Sequence, residues 1–273
     1  MTRKLNDLLL RSLTWLCALL TFSVLIFLIG YILINGIPHL KPSLFALEYN
    51  TDNVSLLPAL ITTVMTVALS LLIAVPFGVF SAIYLVEYAR RGNRFVKLVR
   101  VMAETLSGIP SIVYGLFGSL FFVFWLGWGL SLLAGSFTLS IMILPLIMRA
   151  TEEALKAVPD NYREGAFGLG AGRLRTVFRI ILPAAAPGIL AGVILSVGRI
   201  VGETAALIYT AGTVAQIPEN PMASGRTLAI HMYALSSEGL YTGQAYATAV
   251  ILLVVVIGIN ALSAYVAKKI VKG

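Results

Sequence analysis

Charged side chains in this chain come in clusters, and between the clusters lie uncharged, largely apolar runs at 12–40, 53–86, 105–148, 180–198 and 239–267. A helix needs roughly 20 apolar residues to cross about 30 Å of hydrocarbon, so each run holds at least about one crossing. The first span is expected at about 12–34, stopping near Gly36 and Pro38. The second lies within 57–86, an overlong stretch in which Pro76 predicts a tilt or bend. The run 105–148 exceeds one helix. Gly127-Trp128-Gly129 divides it into spans at about 101–126 and 130–148, with Trp125 and Trp128 at the interface where tryptophans collect. A fifth span at about 184–210 and a sixth at about 245–267 leave an inner loop at about 149–182 and an outer loop at about 211–242. The pattern predicts an all-α polytopic membrane protein with six transmembrane helices, residues 1–273 forming one transmembrane domain.

Composition agrees: 59% of the residues are hydrophobic and 12% charged, where a soluble domain carries about 25% charged residues. Arg3, Lys4 and Arg11 precede the first apolar run as they would in a signal peptide. That run is too long for a signal core and no small-x-small cleavage site follows, so it reads as a retained span. The net charge of +8 does not point to nucleic acid, because the basic residues lie between the apolar runs rather than on one soluble face. It reports topology instead. Of 20 Lys and Arg, 17 fall in the two tails and in the loops after the second and fourth spans; only Lys41 and Arg226 lie opposite, with Arg199 inside the fifth span. The positive-inside rule then makes both termini cytoplasmic, in a multi-pass protein of the cell (inner) membrane.

Most site chemistries are excluded. Cys17 is the one cysteine, and His39 and His231 lie far apart in different loops, so no disulfide framework or metal site is expected. No GxxxxGK[ST] phosphate loop is present, and no strand precedes Gly168, Gly170 and Gly172. No catalytic constellation converges within the spans.

The inner loop is the informative segment. Pro159 ends one helix, and Asn161 with Glu164 has capping-box spacing for a short helix to restart. Gly168, Gly170 and Gly172 supply a break. Leu174, Val177, Phe178, Ile181 and Leu182 then recur at helical spacing, with Arg173, Arg175 and Arg179 around them. The pattern predicts helix, turn and amphipathic helix on the cytoplasmic surface, either lying on anionic headgroups or docking a partner.

Glu164-Gly165-Ala166, three residues, Gly170, nine residues and Ile180-x-Leu182-Pro183 resemble the EAA motif of ABC importer permeases, in both spacing and place before the penultimate span. Gly165 stands at an alanine position of the motif. The resemblance implies that Glu164, Gly165, Ala166, Gly170, Ile180, Leu182 and Pro183 form the coupling segment that docks in a separate ATPase. ATP and Mg would be used there, with no cofactor bound by this chain.

Glu104, Arg199 and Glu203 are the ionisable residues within or near spans, where charge is expensive and usually functional. Arg100 and Glu104 have the spacing of a surface pair. Arg199 and Glu203, four apart in the expected fifth span, read either as a self-neutralising ion pair or as a polar spot on a transport path. An arginine suits a tetrahedral oxyanion, and a neighbouring carboxylate can accept the O–H of hydrogen phosphate but repels sulfate. Pro110 can kink the third span and orient Ser107 and Ser111. Gly188 with Gly192, and Gly198 with Gly202, repeat a spacing that permits close helix approach.

Arg199-Ile200-Val201-Gly202-Glu203-Thr204-Ala205 and Ser107-Gly108-Ile109-Pro110-Ser111-Ile112-Val113 resemble the phosphate-specific importer permeases. The Glu-Thr-Ala form and the segment Leu228-Ala229-Ile230-His231-Met232-Tyr233 look more like their A-type than their C-type subunit. The resemblance implies a substrate path through Arg199, Glu203, Thr204, Ser107 and Ser111. It also implies a heterodimer with a second homologous permease, two copies of an ATPase subunit and an extracytoplasmic phosphate-binding protein. A sulfate or molybdate importer subunit is the alternative within the class, and an ion-coupled secondary transporter the alternative outside it.

Overall fold

The run of mostly small and apolar residues at 132–157 forms the most deeply buried of the long helices. A computed structural model describes residues 2–90 and 92–272, with the side chains of 2–6, 8, 263, 264 and 266–272 left aside. Arg91 and the side chains of Arg3, Lys4, Lys268, Lys269 and Lys272, all used in the topology argument, therefore lie outside the described residues. The order is α1 (Thr2–Gly36), α2 (Leu57–Ile83), α3 (Arg94–Ser107), α4 (Ser111–Gly118), α5 (Leu132–Ala157), α6 (Asp160–Gly168), α7 (Arg173–Thr176), α8 (Leu182–Val201), α9 (Ala205–Ile208), α10 (Leu228–Glu238) and α11 (Thr242–Lys272). No strand occurs among the described residues.

Two thirds of the apolar window of α5 is buried within the chain (67%), against none of that of α1 (0%). The core joins Leu139, Met142, Ile143 and Ile147 of α5 to Ala74 of α2, Tyr114 of α4 and Ile200 of α8. Small residues set the spacing. A Cβ at Gly188 would stand 2.7 Å from that of Ala154, and one at Gly192 would clash with Ala150. This bears out the close approach expected there. Gly198 has nothing within 4 Å, so the second glycine pair packs no helix of this chain. Polar side chains join α2 to α5 in the interior: Ser70 Oγ donates to the Ser136 carbonyl (3.2 Å) and Ser140 Oγ to that of Ser70 (3.1 Å).

Five helices among the described residues are long and apolar enough to cross a membrane, and one sharply bent pair passes the same test only when its two parts are taken together. The first span matches expectation, and α2 runs through Pro76 to Ile83, ending in a π turn, Tyr84–Tyr88. The third span differs. Instead of one helix over 101–126, Arg94–Ser107 and Ser111–Trp125 meet at 102° across Gly108-Ile109-Pro110. Pro110 has no N–H to continue the ladder and holds the residue before it away from helical geometry. The fifth span also differs. It begins at Arg173 and runs to Val201 as one length, so the expected separate amphipathic helix is its first turns. A π turn, Val177–Ile181, sits just before Pro183. The widened turn absorbs the proline's clash with the carbonyl four residues back. With α5 reaching Ala157, the inner loop shortens to 158–172, and the outer loop carries the helix α10.

Candidate functional site

In the loop between α5 and α7, α6 starts at Asp160 after Pro159, with no side-chain cap. The expected Asn161–Glu164 capping box is not formed, because the helix begins two residues too early for Asn161 to flank it. Its far end closes as a Schellman turn: Ala171 N–H donates to the Ala166 carbonyl and Gly170 N–H to that of Phe167, both 2.9 Å. Gly170 takes φ +81°, as that turn requires. Glu164 and Gly165 are exposed and Ala166 is buried. Phe167 is half exposed and Leu169 is 92% exposed, giving the loop an apolar tip. Ile180 and Leu182 are half-buried against Leu155, Val177 and Ile181 and anchor the loop's return, while Pro183 is exposed.

The residue that fixes α6 was not singled out in the sequence. Arg163 pairs with Glu87 at 2.7 Å and with Asp160 at 3.1 Å. It also donates to the carbonyls of Leu155 and Val158, each at 2.9 Å. Glu87 belongs to the π turn ending α2 and is only 7% exposed. One guanidinium thus ties α6 to α2 and to the end of α5. Its hydrogen bond to Glu87 holds the Arg163 pKa above its ordinary value, with burial opposing and the charges of Glu87 and Asp160 adding. The available signal was Glu87 itself, the acid that closes an otherwise uncharged run ahead of a basic loop. Glu104 likewise pairs not with Arg100 but with Arg149 at 3.4 Å, while Arg100 reaches Glu152 at 2.6 Å. These bridges hold α3 against α5.

At the far end of the fifth span, α8 ends at Val201 and the chain turns, with Glu203 N–H donating to the Ile200 carbonyl at 3.1 Å. The expected i,i+4 face is therefore broken. Glu203, 8% exposed, accepts at Oε1 from Ala206 N–H (3.1 Å) and caps α9, making no ion pair with Arg199. Among the described residues the half-buried Arg199 makes no ion pair or side-chain hydrogen bond. The segments that follow the two breaks pack together, since a Cβ at Gly115 of α4 would stand 2.8 Å from the Ala206 Cα of α9. Thr204 opens α9 and lines a cavity of about 680 Å³ with Ile112, Tyr209, Tyr233, Ser236 and Tyr246. Ser107 donates to the Ala103 carbonyl (2.8 Å) and Ser111 begins α4, one on each side of the bend. No hydrogen bond among the described residues joins either serine to Arg199, Glu203 or Thr204.

The outer segment holds a second polar group that the sequence left as ordinary loop. His231 is fully buried on α10, and Arg226, 6% exposed, lies under the Tyr49 ring at 4.6 Å. Burial and then the charge of Arg226 hold the His231 pKa down to about 3, the nearby Val54 backbone pulling slightly the other way. The imidazole is neutral at physiological pH. Arg226 Nε and Nη2 and both His231 ring nitrogens have no partner among the described residues.

Residues 74–272 match the family described as binding-protein-dependent transport system inner membrane component. The chain is 34% identical over 260 residues to the probable ABC transporter permease protein YqgI of Bacillus subtilis, covering 88% of this chain and 86% of that protein. It is 33% identical over 267 residues to the phosphate transport system permease protein PstA of Haemophilus influenzae, covering 94% and 92%. Among solved structures, it resembles a bacterial alginate ABC transporter in complex with a pentasaccharide-bound periplasmic protein, with TM-score 0.63, 16% identity and coverage of 94% and 95%. It also resembles the inward-facing MetNI methionine ABC transporter, with TM-score 0.60, 20% identity and coverage of 78% and 93%. At these identities the structural likenesses establish the fold.

Proposed function

Because this chain belongs to the family of binding-protein-dependent transport system inner membrane components, and is an ABC importer permease subunit of the inner membrane rather than an enzyme, we propose that it forms half of a phosphate translocation path. Relatives named as phosphate transport permeases favour that anion. So does Arg199, a cation at a helix break with its donors uncommitted. Glu203 uses Oε1 on Ala206 N–H, and its second oxygen is then the acceptor for the hydroxyl of hydrogen phosphate. Sulfate, fully ionised, meets only repulsion there. Thr204 adds a hydroxyl at the cavity beside this point, and Ser107 and Ser111 mark the hinge of the broken third span.

In this reading α6 is the contact to a separate, cytoplasmic ATPase, which binds ATP and magnesium in two copies. Both termini of this chain are cytoplasmic. A second permease completes the path, and an extracytoplasmic phosphate-binding protein delivers substrate. The observation that carries the coupling reading is the combination of an exposed apolar tip at Phe167 and Leu169 with the buried Arg163–Glu87 bridge. A docked ATPase that moves the tip moves α2 and α5 with it. Those helices frame the core that holds α4 and α8, so nucleotide-driven closure alters the two helix breaks around Arg199. Uptake of labelled phosphate into vesicles, competed with sulfate and molybdate, tests the substrate. Competition by sulfate as effective as by phosphate would replace this assignment with an oxyanion importer of the other type.

A further inference from the structure

Helix α3 divides its surface three ways. Val96 and Ala103 are buried, Phe95, Leu98 and Met102 stand exposed as an apolar ridge, and Arg94, Lys97 and Arg100 are exposed elsewhere around it. A helix of this pattern, bent 102° from the segment Ser111–Trp125 that follows it, belongs along the bilayer surface, apolar ridge in the acyl boundary and cations at headgroup level. Beside it a cleft of about 900 Å³ opens between α3, the end of α2 and the 158–173 segment. Seven of its lining residues are cationic and two, Glu87 and Asp160, are acidic. Both acids are already held by Arg163, while Arg100 and Lys156 share Glu152. Arg90, Arg94 and Lys97 make no ion pair among the described residues, and Arg173 rests 5.3 Å over the Tyr88 ring. Four cations thus converge on one open volume with no carboxylate among the described residues left to balance them.

We propose that this cleft binds the phosphate group of an anionic phospholipid, held by Arg90, Arg94, Lys97 and Arg173. Arginine forks match phosphate oxygens, and basic pockets at the cytoplasmic membrane face recognise such headgroups. The cleft volume lies in the range of sites that take whole small molecules and exceeds what one inorganic phosphate fills. The apolar ridge of α3 adjoins it, so one ligand satisfies both surfaces. Asp160 and Phe167 of α6 also line the cleft, and a bound headgroup therefore braces the base of the loop. The proposal requires the membrane location alone and is independent of which solute is transported.

The test is retention of spin-labelled phosphatidylglycerol by the intact transporter in phosphatidylcholine nanodiscs, with inorganic phosphate in a parallel arm. Wild type is expected to hold the anionic lipid at least about tenfold more tightly than the double variant Arg94→Glu/Lys97→Glu. Both positions are exposed, and circular dichroism checks that the variant is folded. Displacement by inorganic phosphate, but not by chloride at equal ionic strength, would assign the site to the free anion and overturn the lipid source. Equal retention by wild type and variant overturns the site itself. A lipid preference that emerges only after the ATPase is stripped away would make the cleft a protein interface, which also overturns the proposal.

Discussion

At the base of α6, Arg163 directs its donors to Glu87, Asp160 and the carbonyls of Leu155 and Val158; at the break after α8, Arg199 donates to no partner among the described residues. Both arginines are largely withdrawn from water, so the difference is one of commitment. A satisfied, buried network fixes a single geometry and transmits displacement. A cation with open donors is costly to maintain and invites a ligand of opposite charge. The backbone follows the same division. Near Arg163 the short loop helix is closed by a Schellman turn, whereas near Arg199 α8 ends and the segments beyond two helix breaks pack together. In the proposed reading the first region moves as a unit and the second rearranges.

The sharpest way to break this contrast is Arg163→Ala. Removing one partner leaves Glu87 buried without its counter-charge, a loss of about 3–5 kcal/mol for a pair of this kind. The yield of monodisperse protein from mild detergent should collapse. The exchange Arg163→Glu/Glu87→Arg should recover part of it, since geometry rather than sign is then at fault. Full stability in the single variant would show that the staple is ornamental. Arg199→Gln should behave in the opposite manner. With no partner to strand, it is expected to leave yield and melting temperature near wild type while lowering phosphate uptake by roughly tenfold to a hundredfold, the equivalent of a lost charged hydrogen bond. Intact uptake with reduced expression would reverse the assignment.

Gly170→Leu comes next. Its φ of +81° costs a side chain about 1–2 kcal/mol, enough to open the turn without preventing insertion. ATP hydrolysis should persist while uptake per ATP falls; unchanged coupling would move the docking turn elsewhere. The smallest effect is expected at Gly165→Ala. A Cβ there has nothing within 4 Å and gains up to about 1 kcal/mol of helix propensity. Helix content and melting temperature should hold or rise slightly, with transport unaltered.

How these regions could be read from sequence differs for physical reasons. Clustered charges and apolar runs located the spans because membrane crossing is a constraint on composition, felt residue by residue. The bend at Gly108–Pro110 was masked. The exposed apolar ridge Phe95, Leu98 and Met102 makes a helix bent away from the next segment look like the start of a straight crossing, and only the cations between betray it. Arg199 and Glu203 were placed on one face by assuming that the helix continues, but it stops at Val201 and Glu203 caps α9 instead. The Arg163–Glu87 bridge joins residues 76 positions apart, and no local pattern announces such a pair. The site residues were thus visible as types, while their partners were set by tertiary packing.

The first helix carries a consequence for how the protein is made. None of its apolar window is buried by the rest of the chain, and its close contact comes near its end, where a Cβ at Gly36 would stand 2.5 Å from the Tyr246 carbonyl oxygen of α11. During synthesis it emerges long before α11 exists to receive it. It must therefore partition into the bilayer on its own hydrophobicity, as an independent insertion event. Some two hundred further residues must be translated before α11 is there to pack against it.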